Sequence, residues 1–458
     1  MTTVIGVDFG TTNSVVAILR PDGSVRTRRF PADGTELDVF RTVLCFWSEE
    51  AGGRARLHHA AGPQGVQAYL DEPLDSRLIM SMKTYLAQRS FTQTRIFGRP
   101  FTLEQLVALF LRALLGGQPG DPPPDGLRPH DVHPGDGRPH DVRPHDAHPG
   151  DVRIVAGCPV RFAGESADDA FGVARLRGAF AEAGFPDIEV ALEPEAAGYR
   201  VARTFEAATT VLVGDFGGGT SDFSVMRFDP LGGSRRVTPL GHAGIGIAGD
   251  TFDYRIIDHV VSPLLGKGDT YTVMGKALPV PPDYFSGFAR WHSLSMMRTP
   301  RTVRDIAAVA AASAHPERLR ALIGLIEDEM GYPLYQAVSA AKAALSRQDA
   351  ATLRIAHRDF VVDRRIARAE FEAWIAGDLR RMAETVDRAL ANAGVAADAI
   401  DRVFLTGGTS FVPAVRALFE RRFGAEKVSG GGEFVSVAEE LALIGRDRVS
   451  GDAVPADT

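Results

Sequence analysis

The sequence predicts an α/β protein of two related lobes, and three observations support this prediction. The chain has 458 residues, more than one hydrophobic core usually supports, so two large domains are expected. Segments typical of strands alternate with segments typical of helices along most of the chain. The tripeptide Asp-Phe-Gly occurs at residues 8–10 and again at 215–217, each time between two strand-like segments. Such self-similarity across half of the chain indicates two lobes of related structure.

Composition and charge exclude several classes of partner. Hydrophobic residues make up 45% and charged residues 24% of the chain, as in an ordinary globular protein. The net charge of −7 leaves no strongly basic face, so we expect no nucleic acid partner. No uncharged apolar run approaches the roughly 18 residues that a membrane span requires, so we expect no membrane partner. Cys45 and Cys158 are too few for a disulfide framework, which favours a reducing, cytoplasmic location.

The first half of the chain begins with strands and continues into a capped helix. Residues 4–20 predict two strands around a tight turn, and residues 24–30 and 41–47 predict further strands. A helix is predicted from Thr102, which matches a capping box with Gln105. One face of this helix is apolar and is expected in the core: Leu103, Leu106, Val107, Phe110, Leu111 and Leu114.

Residues 116–151 differ in composition from the rest of the chain. They contain Arg-Pro-His-Asp three times and His-Pro-Gly-Asp twice. Proline removes backbone donors and nothing here could form a core, so we expect a disordered or extended surface insertion. Order is expected to resume with strands at 152–156 and 188–192 and with helices at 164–183 and 195–205.

The second half repeats the strand–turn–strand pattern and then becomes helical. A strand at 210–213 runs into the second Asp-Phe-Gly, and a strand at 223–228 follows. Helices are predicted from 250 to 345, strands near 352–362, and a long amphipathic helix at 368–393. The inward residues predicted for the long helix are Phe371, Ile375, Leu379, Met382, Val386 and Leu390. The last predicted unit is a strand at 402–405, the pair Gly407 and Gly408, and a helix at 413–423.

The two Asp-Phe-Gly turns have the chemistry of a phosphate site. Binding phosphate requires backbone N–H groups aimed at one point, which favours residues that tolerate positive φ and close approach. The glycines and polar donors with these properties are Gly10, Thr11, Thr12, Asn13, Gly217, Gly218, Gly219 and Thr220. Asp8 and Asp215 repel phosphate, so they indicate a cation between them and the phosphate, Mg²⁺ with retained waters. Together the turns predict a nucleotide site.

These motifs resemble those of the seventy-kilodalton heat-shock (DnaK-type) chaperone family. The chain looks closest to the YegD-like members, which have the nucleotide-binding domain only. Residues 4–14 resemble the family's first phosphate motif, and residues 211–222 resemble its second. Residues 403–413 resemble its adenosine motif, while 157–160 and 193–199 resemble its connecting segment. The motifs occur in the family's order along the chain.

The resemblance implies the two-lobed actin/hexokinase/heat-shock ATPase fold. Each lobe would be a mixed five-stranded sheet with helices, and the nucleotide would lie in the cleft between the lobes. Lobe I is expected at 1–205, with 36–115 as its outer subdomain and 116–151 as the insertion. Lobe II is expected at 206–432, with 250–364 as its outer subdomain. A helix at 433–446 would return to lobe I, and a disordered tail would follow at 447–458.

The resemblance also implies ATP or ADP with Mg²⁺ as ligands, and it implies roles for single residues. Asp8 and Asp215 would hold the hydrated metal. Lys83 would orient the attacking water and offset developing charge, and Glu193 would lie near the waters of the metal. Lys83, Glu193 and Asp215 are thus the predicted catalytic residues. Besides the phosphate turns, the predicted nucleotide contacts are Gly249, Lys342, Gly407, Gly408, Thr409 and Phe411.

The function that the resemblance favours is a slow, Mg-dependent ATPase with heat-shock-like allostery, acting on an unidentified protein partner or client. Ser339, Ala343 and Phe411 depart from the family's adenosine side, which leaves adenine or guanine open as the base. The chain ends at Thr458, soon after the last motif, so we expect no peptide-binding domain. Two other functions stay open: a non-enzymatic, nucleotide-sensing or actin-like scaffold, and a sugar-type kinase with Asp222 as its base.

Overall fold

The computed structural model describes most of the chain between Thr3 and Val449, and it divides into two compact units. The first unit comprises residues 1–246, 385–407 and 422–458, and the second comprises 247–384 and 408–421. The described ranges are 3–20, 22–32, 35–51, 54–72, 75–116, 152–162, 167–202, 205–231, 234–288, 297–328, 330–358, 360–430 and 437–449. Nearly all of the predicted insertion and most of the predicted tail therefore lie outside the described residues.

The described elements are a mixture of strands and helices, as the sequence predicts. The strands are β1 (Thr3–Phe9), β2 (Asn13–Leu19), β3 (Val25–Thr27), β4 (Phe30–Ala32), β5 (Thr35–Leu37), β6 (Phe40–Arg41), β7 (Val43–Ala51), β8 (Arg54–Ala61), β9 (Ser76–Met80), β10 (Gln93–Ile96), β11 (Arg99–Thr102), β12 (Val152–Cys158), β13 (Ile188–Leu192), β14 (Thr209–Phe216), β15 (Ser221–Leu231), β16 (Ser234–Ile245), β17 (Thr270–Val273), β18 (Lys276–Pro279), β19 (Ala350–His357), β20 (Phe360–Ala367), β21 (Arg402–Thr406) and β22 (Val428–Gly430). The helices are α1 (Gly62–Asp71), α2 (Leu103–Gly116), α3 (Asp169–Glu182), α4 (Glu193–Ala202), α5 (Gly249–Ile256), α6 (Asp283–Phe288), α7 (Pro300–Ala311), α8 (Pro316–Glu327), α9 (Gly331–Leu345), α10 (Arg368–Ala393), α11 (Pro413–Phe423) and α12 (Val437–Val449).

Two mixed sheets of the first unit share one strand order. The first sheet runs β13-β12-β1-β2-β3, with the short β6 beside β2, and the second runs β16-β15-β14-β21-β22. In the first sheet β1 pairs parallel with β12 and antiparallel with β2. In the second sheet β14 pairs parallel with β21 and antiparallel with β15. The expectation of five strands holds for the main path of each sheet, and β6 adds a sixth strand to the first.

Burial on both faces marks β1 as the centre of the first sheet. Val4, Ile5 and Val7 are at most 2% exposed. A continuous apolar run of this kind is typical of a strand with parallel pairing and layers on both sides. Gly6 allows the closest contact, because a Cβ there would lie only 1.9 Å from the backbone oxygen of Ala438. Helix α12 therefore packs directly on β1.

Helix α2 confirms the predicted capped helix. The N–H of Thr102 donates to Gln105 Oε1 at 3.0 Å, and the N–H of Gln105 donates to Thr102 Oγ1 at 3.2 Å. This reciprocal pair is the capping box that the sequence indicated. The six residues of the predicted apolar face are all at most 1% exposed. Among the described residues, no helix has the length and apolar character needed to cross a membrane.

Two helices of the first unit begin elsewhere than predicted. Helix α3 begins at Asp169 and not at 164, because Asp168 caps it: its Oδ1 accepts the N–H of Phe171 at 2.9 Å. Helix α4 begins at Glu193, directly after β13, and not at 195. Glu193 is therefore the first residue of a helix, where a carboxylate is favoured by the helix dipole.

The second unit contains a hairpin that the sequence prediction missed. Helices were expected to dominate 250–345, and no strand was predicted there, but β17 and β18 form an antiparallel pair inside this range. The turn between them is Met274–Gly275, and both residues have positive φ, 48° and 76°. Two such residues are typical of a two-residue hairpin turn. A second antiparallel pair, β19–β20, lies where strands were predicted.

Helix α10 has the predicted bounds, but one of its inward positions was wrong. Leu379 is only half-buried, whereas the neighbouring Asp378 is 1% exposed. Asp378 is stable there because its two carboxylate oxygens accept from Arg255 Nε and Nη2 at 2.8 and 2.9 Å. A buried carboxylate needs such a partner, and the apolar periodicity of the helix does not reveal it.

Candidate functional site

Three carboxylates of the candidate site, Asp8, Glu193 and Asp215, lie at the carboxyl ends of strands. Because β1, β12 and β13 run parallel, their carboxyl ends meet at one edge of the first sheet. Asp8 lies at this end of β1, and Glu193 directly follows β13. In the second sheet, β14 and β21 run parallel. Asp215 lies at the end of β14, and Gly407 follows β21.

The two Asp-Phe-Gly segments form hairpins of the same register whose turns lie against each other. Strand pairing leaves residues 10–13 as the turn of the first hairpin and 217–220 as the turn of the second. A Cβ on Gly218 would stand only 1.9 Å from Thr12 Oγ1, so the two turns are in contact. The structure therefore brings the two predicted phosphate turns together within the first unit.

Gly10 and Gly407 are required at this site because backbone atoms approach them closely. Gly10, Gly217 and Gly218 do not themselves adopt positive φ, since none of them lies in the left-handed region. A Cβ on Gly10 would instead stand 2.1 Å from the backbone oxygen of Asn13, far closer than non-bonded atoms can lie. Gly407 combines both requirements, since its φ is +84° and a Cβ would meet a backbone oxygen at 2.0 Å.

Some of the predicted phosphate donors already have partners in the protein. The N–H of Gly217 donates to the backbone oxygen of Thr220 at 2.9 Å. Asn13 is exposed, and its Oδ1 accepts from Arg41 Nη1 at 3.4 Å. The other predicted phosphate contacts of the two turns, Thr11, Thr12, Gly218, Gly219 and Thr220, are half-buried.

Lys83 and Glu193 form an ion pair beside the two hairpins. Lys83 lies in a short 3-10 turn, Met82–Tyr85, and its Nζ donates to Glu193 Oε1 at 2.5 Å. The two side chains are only 12% and 9% exposed, so solvent screens the pair weakly. Burial lowers the pKa of Lys83, but the charges of Glu193 and Asp8 outweigh it and hold that pKa above its ordinary value. Lys83 is therefore a cation at any physiological pH.

Asp8 and Asp215 lie within electrostatic reach of each other and of this pair. Burial raises the pKa of Asp8 to about 7, repulsion from Glu193 and Asp215 adds to the rise, and Lys83 opposes it. Burial also raises the pKa of Asp215 to about 6, again with repulsion from Glu193. The cluster thus holds three carboxylates and one ammonium, an excess of negative charge that a bound cation would relieve.

Asp222 is a fourth carboxylate of the site, and His242 is a neighbour that the sequence prediction missed. Burial, followed by repulsion from Asp215, raises the pKa of Asp222 to about 7. His242 Nε2 lies 3.6 Å from Asp222 Oδ1, and Nδ1 lies 3.2 Å from Ser224 Oγ. Burial lowers the pKa of His242 to about 4, so its ring is neutral. No motif marks His242 in the sequence, because strand register alone places it on β16 beside β15.

The predicted contacts to the sugar and base lie mainly in the second unit. Lys342 Nζ donates to the backbone oxygen of Gly249 at 2.9 Å and to Asp253 Oδ2 at 2.8 Å. The structure thus brings two predicted contact residues together and gives the lysine a carboxylate partner that was not predicted. The other predicted contacts of this unit lie in the short 3-10 turn Gly408–Phe411.

The donor set near Asp8 and Asp215 fits a hydrated divalent ion. Among the described residues, no group of three or more His, Cys, Asp and Glu side chains is arranged to enclose a metal. An ion held by these two carboxylates would therefore take most of its ligands from water or from phosphate oxygens. Mg²⁺ binds proteins in this way, through one or two carboxylates and retained waters.

The fold and the site define an α/β protein with a buried carboxylate–lysine cluster beneath two glycine turns. Residues 323–437 match the family model described as Hsp70 protein. The match covers about a quarter of the 458 residues and supports a relationship to the Hsp70 family, whose mixed α/β fold agrees with the sheets described above. Lys342 and the whole predicted adenosine motif, 403–413, lie within the matched segment, and both Asp-Phe-Gly hairpins lie outside it.

Proposed function

We propose that the chain binds ATP with Mg²⁺ and hydrolyses it slowly, as a heat-shock-like chaperone or chaperone-related regulator. The observation that supports this proposal most is the cluster in the first unit. There, Asp8 and Asp215 lie at the ends of two hairpins whose glycine turns touch, beside the ion pair of Lys83 and Glu193. The family match supports the heat-shock assignment independently.

The charges of the site favour a metal-bound polyphosphate as ligand. Asp8, Asp215 and Glu193 carry three negative charges when ionised, and Lys83 supplies one positive charge. A divalent cation would offset the remainder and would lower the raised pKa values of both aspartates. Mg²⁺ would supply charge neutralisation for the phosphate oxygens.

The protein's own groups would do the remaining work of hydrolysis. Thr12 and the touching turns at 10–13 and 217–220 would fix the phosphates. The ammonium of Lys83, which Glu193 holds in place, would orient the attacking water and offset charge that develops during transfer. Because Lys83 and Glu193 are nearly buried, their electrostatic interactions are stronger than the same interactions in water.

The finer assignment rests on the motif resemblance. We infer a YegD-like member with a two-lobed actin-like nucleotide fold, in which nucleotide-dependent movement of the lobes is recognised by a protein partner. A cytoplasmic location agrees with the two cysteines, which are buried thiols.

The proposal is tested by nucleotide binding and single-turnover hydrolysis with the full chain. Calorimetric titration with ATP, ADP and GTP in the presence of Mg²⁺ gives affinity and base preference. Lys83→Ala is expected to lower the hydrolysis rate about 100-fold while changing the Kd for ATP by less than about threefold. The matched control is Lys276→Ala, because Lys276 is an exposed lysine of β18. Absence of ATP binding, or an unchanged rate in Lys83→Ala, contradicts the proposal.

A sugar-type kinase is the second candidate, and Asp222 is the observation that favours it. Its raised pKa, about 7, and its position beside the second phosphate turn suit a base that accepts a proton from a hydroxyl group. ADP release that requires an added polyol, and that Asp222→Asn abolishes, would identify this function. ADP release from ATP and water alone would exclude it.

A further inference from the structure

Arg175 occupies an unusual position for a charged residue, because it lies inside the first unit on α3. Its side chain is only 4% exposed. Its Nε donates to Glu104 Oε1 at 2.7 Å and its Nη2 donates to Glu104 Oε2 at 3.0 Å. This bidentate pair offsets the charge of the guanidinium and fixes the plane of its fork between α2 and α3.

The third arm of the guanidinium faces the backbone that follows Lys83. Nη1 lies 3.4 Å from the carbonyl oxygen of Tyr85, 3.5 Å from that of Gln88 and 3.2 Å from that of Phe91. Each contact is long, but three carbonyls converge on one nitrogen. The segment 82–91 contains one short turn and then no regular structure. The carbonyls of Tyr85 and Gln88 also accept the backbone N–H groups of Gln88 and Phe91, both at 3.1 Å, so Arg175 adds a side-chain donor to a segment held only by short-range turns.

A second set of contacts fastens the same segment to the start of α3. The N–H of Asp168 donates to the carbonyl oxygen of Ala87 at 3.1 Å. Arg89 donates to Asp168 Oδ2 from Nε at 2.8 Å and from Nη2 at 2.6 Å. The guanidinium groups of Arg89 and Arg175 both lie over the ring of Phe171, at 4.6 and 5.3 Å from its centroid.

The backbone of Lys83 is coupled to this anchored segment. The N–H of Leu86 donates to the carbonyl oxygen of Lys83 at 3.2 Å, and Ser81, at the start of the turn, has a φ of 55°. A non-glycine residue in the left-handed region persists only where its surroundings hold it. A catalytic group must be held within a fraction of an ångström, so the position of Lys83 depends on whatever fixes its turn.

We propose that Arg175 is a positioning residue for Lys83. Its guanidinium, oriented by Glu104, contacts three carbonyl oxygens of segment 82–91 and fixes the backbone of this segment. The fixed backbone in turn holds the Lys83 ammonium against Glu193. The proposal rests on the proposed function of this site and adds to it a residue that no motif contains. Arg175 lies on a helix and acts through the backbone, so its loss should change the rate of hydrolysis and leave nucleotide affinity unchanged.

A double-mutant cycle with the full chain tests this proposal. Arg175→Lys keeps the charge but loses the fork, and we expect the single-turnover rate to fall about tenfold with the Kd for ATP within about twofold. In a Lys83→Ala background the same substitution should change the residual rate by less than about twofold, because it acts through Lys83. The control is Arg177→Lys on the same helix, whose Nη1 donates to the carbonyl oxygen of Ile188 at 2.7 Å, away from the segment.

Hydrogen exchange supplies a readout that does not require activity. Peptides covering 82–91 should exchange faster in Arg175→Lys, while peptides of β12 and β13 keep wild-type protection. Glu104→Gln, which leaves the guanidinium in place, should give a smaller change in the same direction, and it replaces Arg175→Lys if that variant does not fold.

The outcomes separate the two proposals. Equal rate losses in the wild-type and Lys83→Ala backgrounds, or unchanged exchange of segment 82–91, overturn the positioning role while the ATPase proposal stands. If the wild-type chain binds and hydrolyses no ATP, the proposed function fails, and the exchange measurement then decides whether Arg175 fixes the segment.

Discussion

The two mixed sheets of the first unit have the same strand order and carry the same tripeptide at the same place, yet the residue paired with the aspartate differs. Opposite Asp8 in the first hairpin stands Val15, and opposite Asp215 in the second stands Asp222. The two hairpins therefore have the same backbone arrangement but different charge near their turns. A single side chain makes the second hairpin the more acidic one, and its two carboxylates raise each other's cost of ionisation.

The turns of the two hairpins also differ in how tightly they are closed. In the first, a Cβ on Gly10 would stand 2.1 Å from a backbone oxygen of the turn. In the second, a Cβ on Gly217 would stand 3.4 Å from the corresponding oxygen, which is an ordinary contact. The shared Asp-Phe-Gly thus has different local constraints in its two copies.

The largest effect is expected for substitution of Asp8 or Asp215, and it tests whether both hairpins bind the same ion. Asp8→Asn and Asp215→Asn should each lower single-turnover ATP hydrolysis by about 100-fold or more, because each removes one of the two carboxylates that hold Mg²⁺. The measurement is phosphate release at saturating ATP over a range of Mg²⁺ concentrations. A large loss in one variant and none in the other would show that the hairpins do not share a cation.

The second prediction concerns the tightness of the turns. Gly10→Ala should lower the free energy of unfolding by about 2–4 kcal/mol, because backbone atoms must move to admit the new methyl group. Gly217→Ala should change it by less than about 1 kcal/mol, since its φ is allowed for alanine and the space exists. Denaturant unfolding of both variants measures the difference, and equal costs would contradict the structural distinction.

The third prediction concerns pH. The folded-state pKa values of Asp8 and Asp215, about 7 and about 6, lie above the unfolded value near 4, so the folded state binds more protons between these limits. Without ligand, stability should therefore fall as pH rises from about 4 to about 7. Because both side chains keep some exposure, we expect each of them to lower the free energy of unfolding by about 1–2 kcal/mol over this pH range.

Asp215→Asn serves as the comparison for this pH dependence. The variant should match the wild type near pH 4 and exceed its stability at pH 7, with Asp8→Asn behaving alike. Adding Mg²⁺ and ATP should reverse the order, because only the wild type binds the complex well. Thermal unfolding at several pH values measures this, and a wild type that gains stability up to pH 7 would argue against buried, uncompensated carboxylates.

The smallest effect is expected at Asp222, which pairs with Asp215 as Val15 pairs with Asp8. Asp222→Val gives the second hairpin the residue type of the first, and it should lower ATP hydrolysis by less than about fivefold if Asp222 only tunes the charge around Asp215. Loss of activity as large as that of Asp215→Asn would instead assign Asp222 a direct role, as the kinase candidate requires. Val15→Ala is a suitable control for disturbance of the hairpin itself.

Local patterns in the sequence were sufficient for much of the fold. The capping box of Thr102 and Gln105, the bounds of α10 and the two hairpins around Asp-Phe-Gly depend on neighbours within a few residues, and each was predicted. The β17–β18 hairpin was missed because each strand has only four residues and the two-residue turn, Met274–Gly275, lacks the Asn-Gly or Asp-Gly pair that marks such hairpins.

Contacts between distant residues account for what the sequence left open. Lys83 and Glu193 are 110 positions apart, and Arg175 and Glu104 are 71 apart, so no spacing rule links them. The buried Asp378 likewise depends on Arg255, which lies 123 positions away.

By itself, the sequence determined that two acidic, glycine-rich hairpins exist, because turn geometry and strand alternation are local properties of the chain. Only the tertiary structure decided that their turns touch, that the lysine beside them is paired with a glutamate, and that a buried arginine fastens the lysine's turn. These features depend on burial and on low-dielectric pairing, which arise only when the sheets and helices pack together.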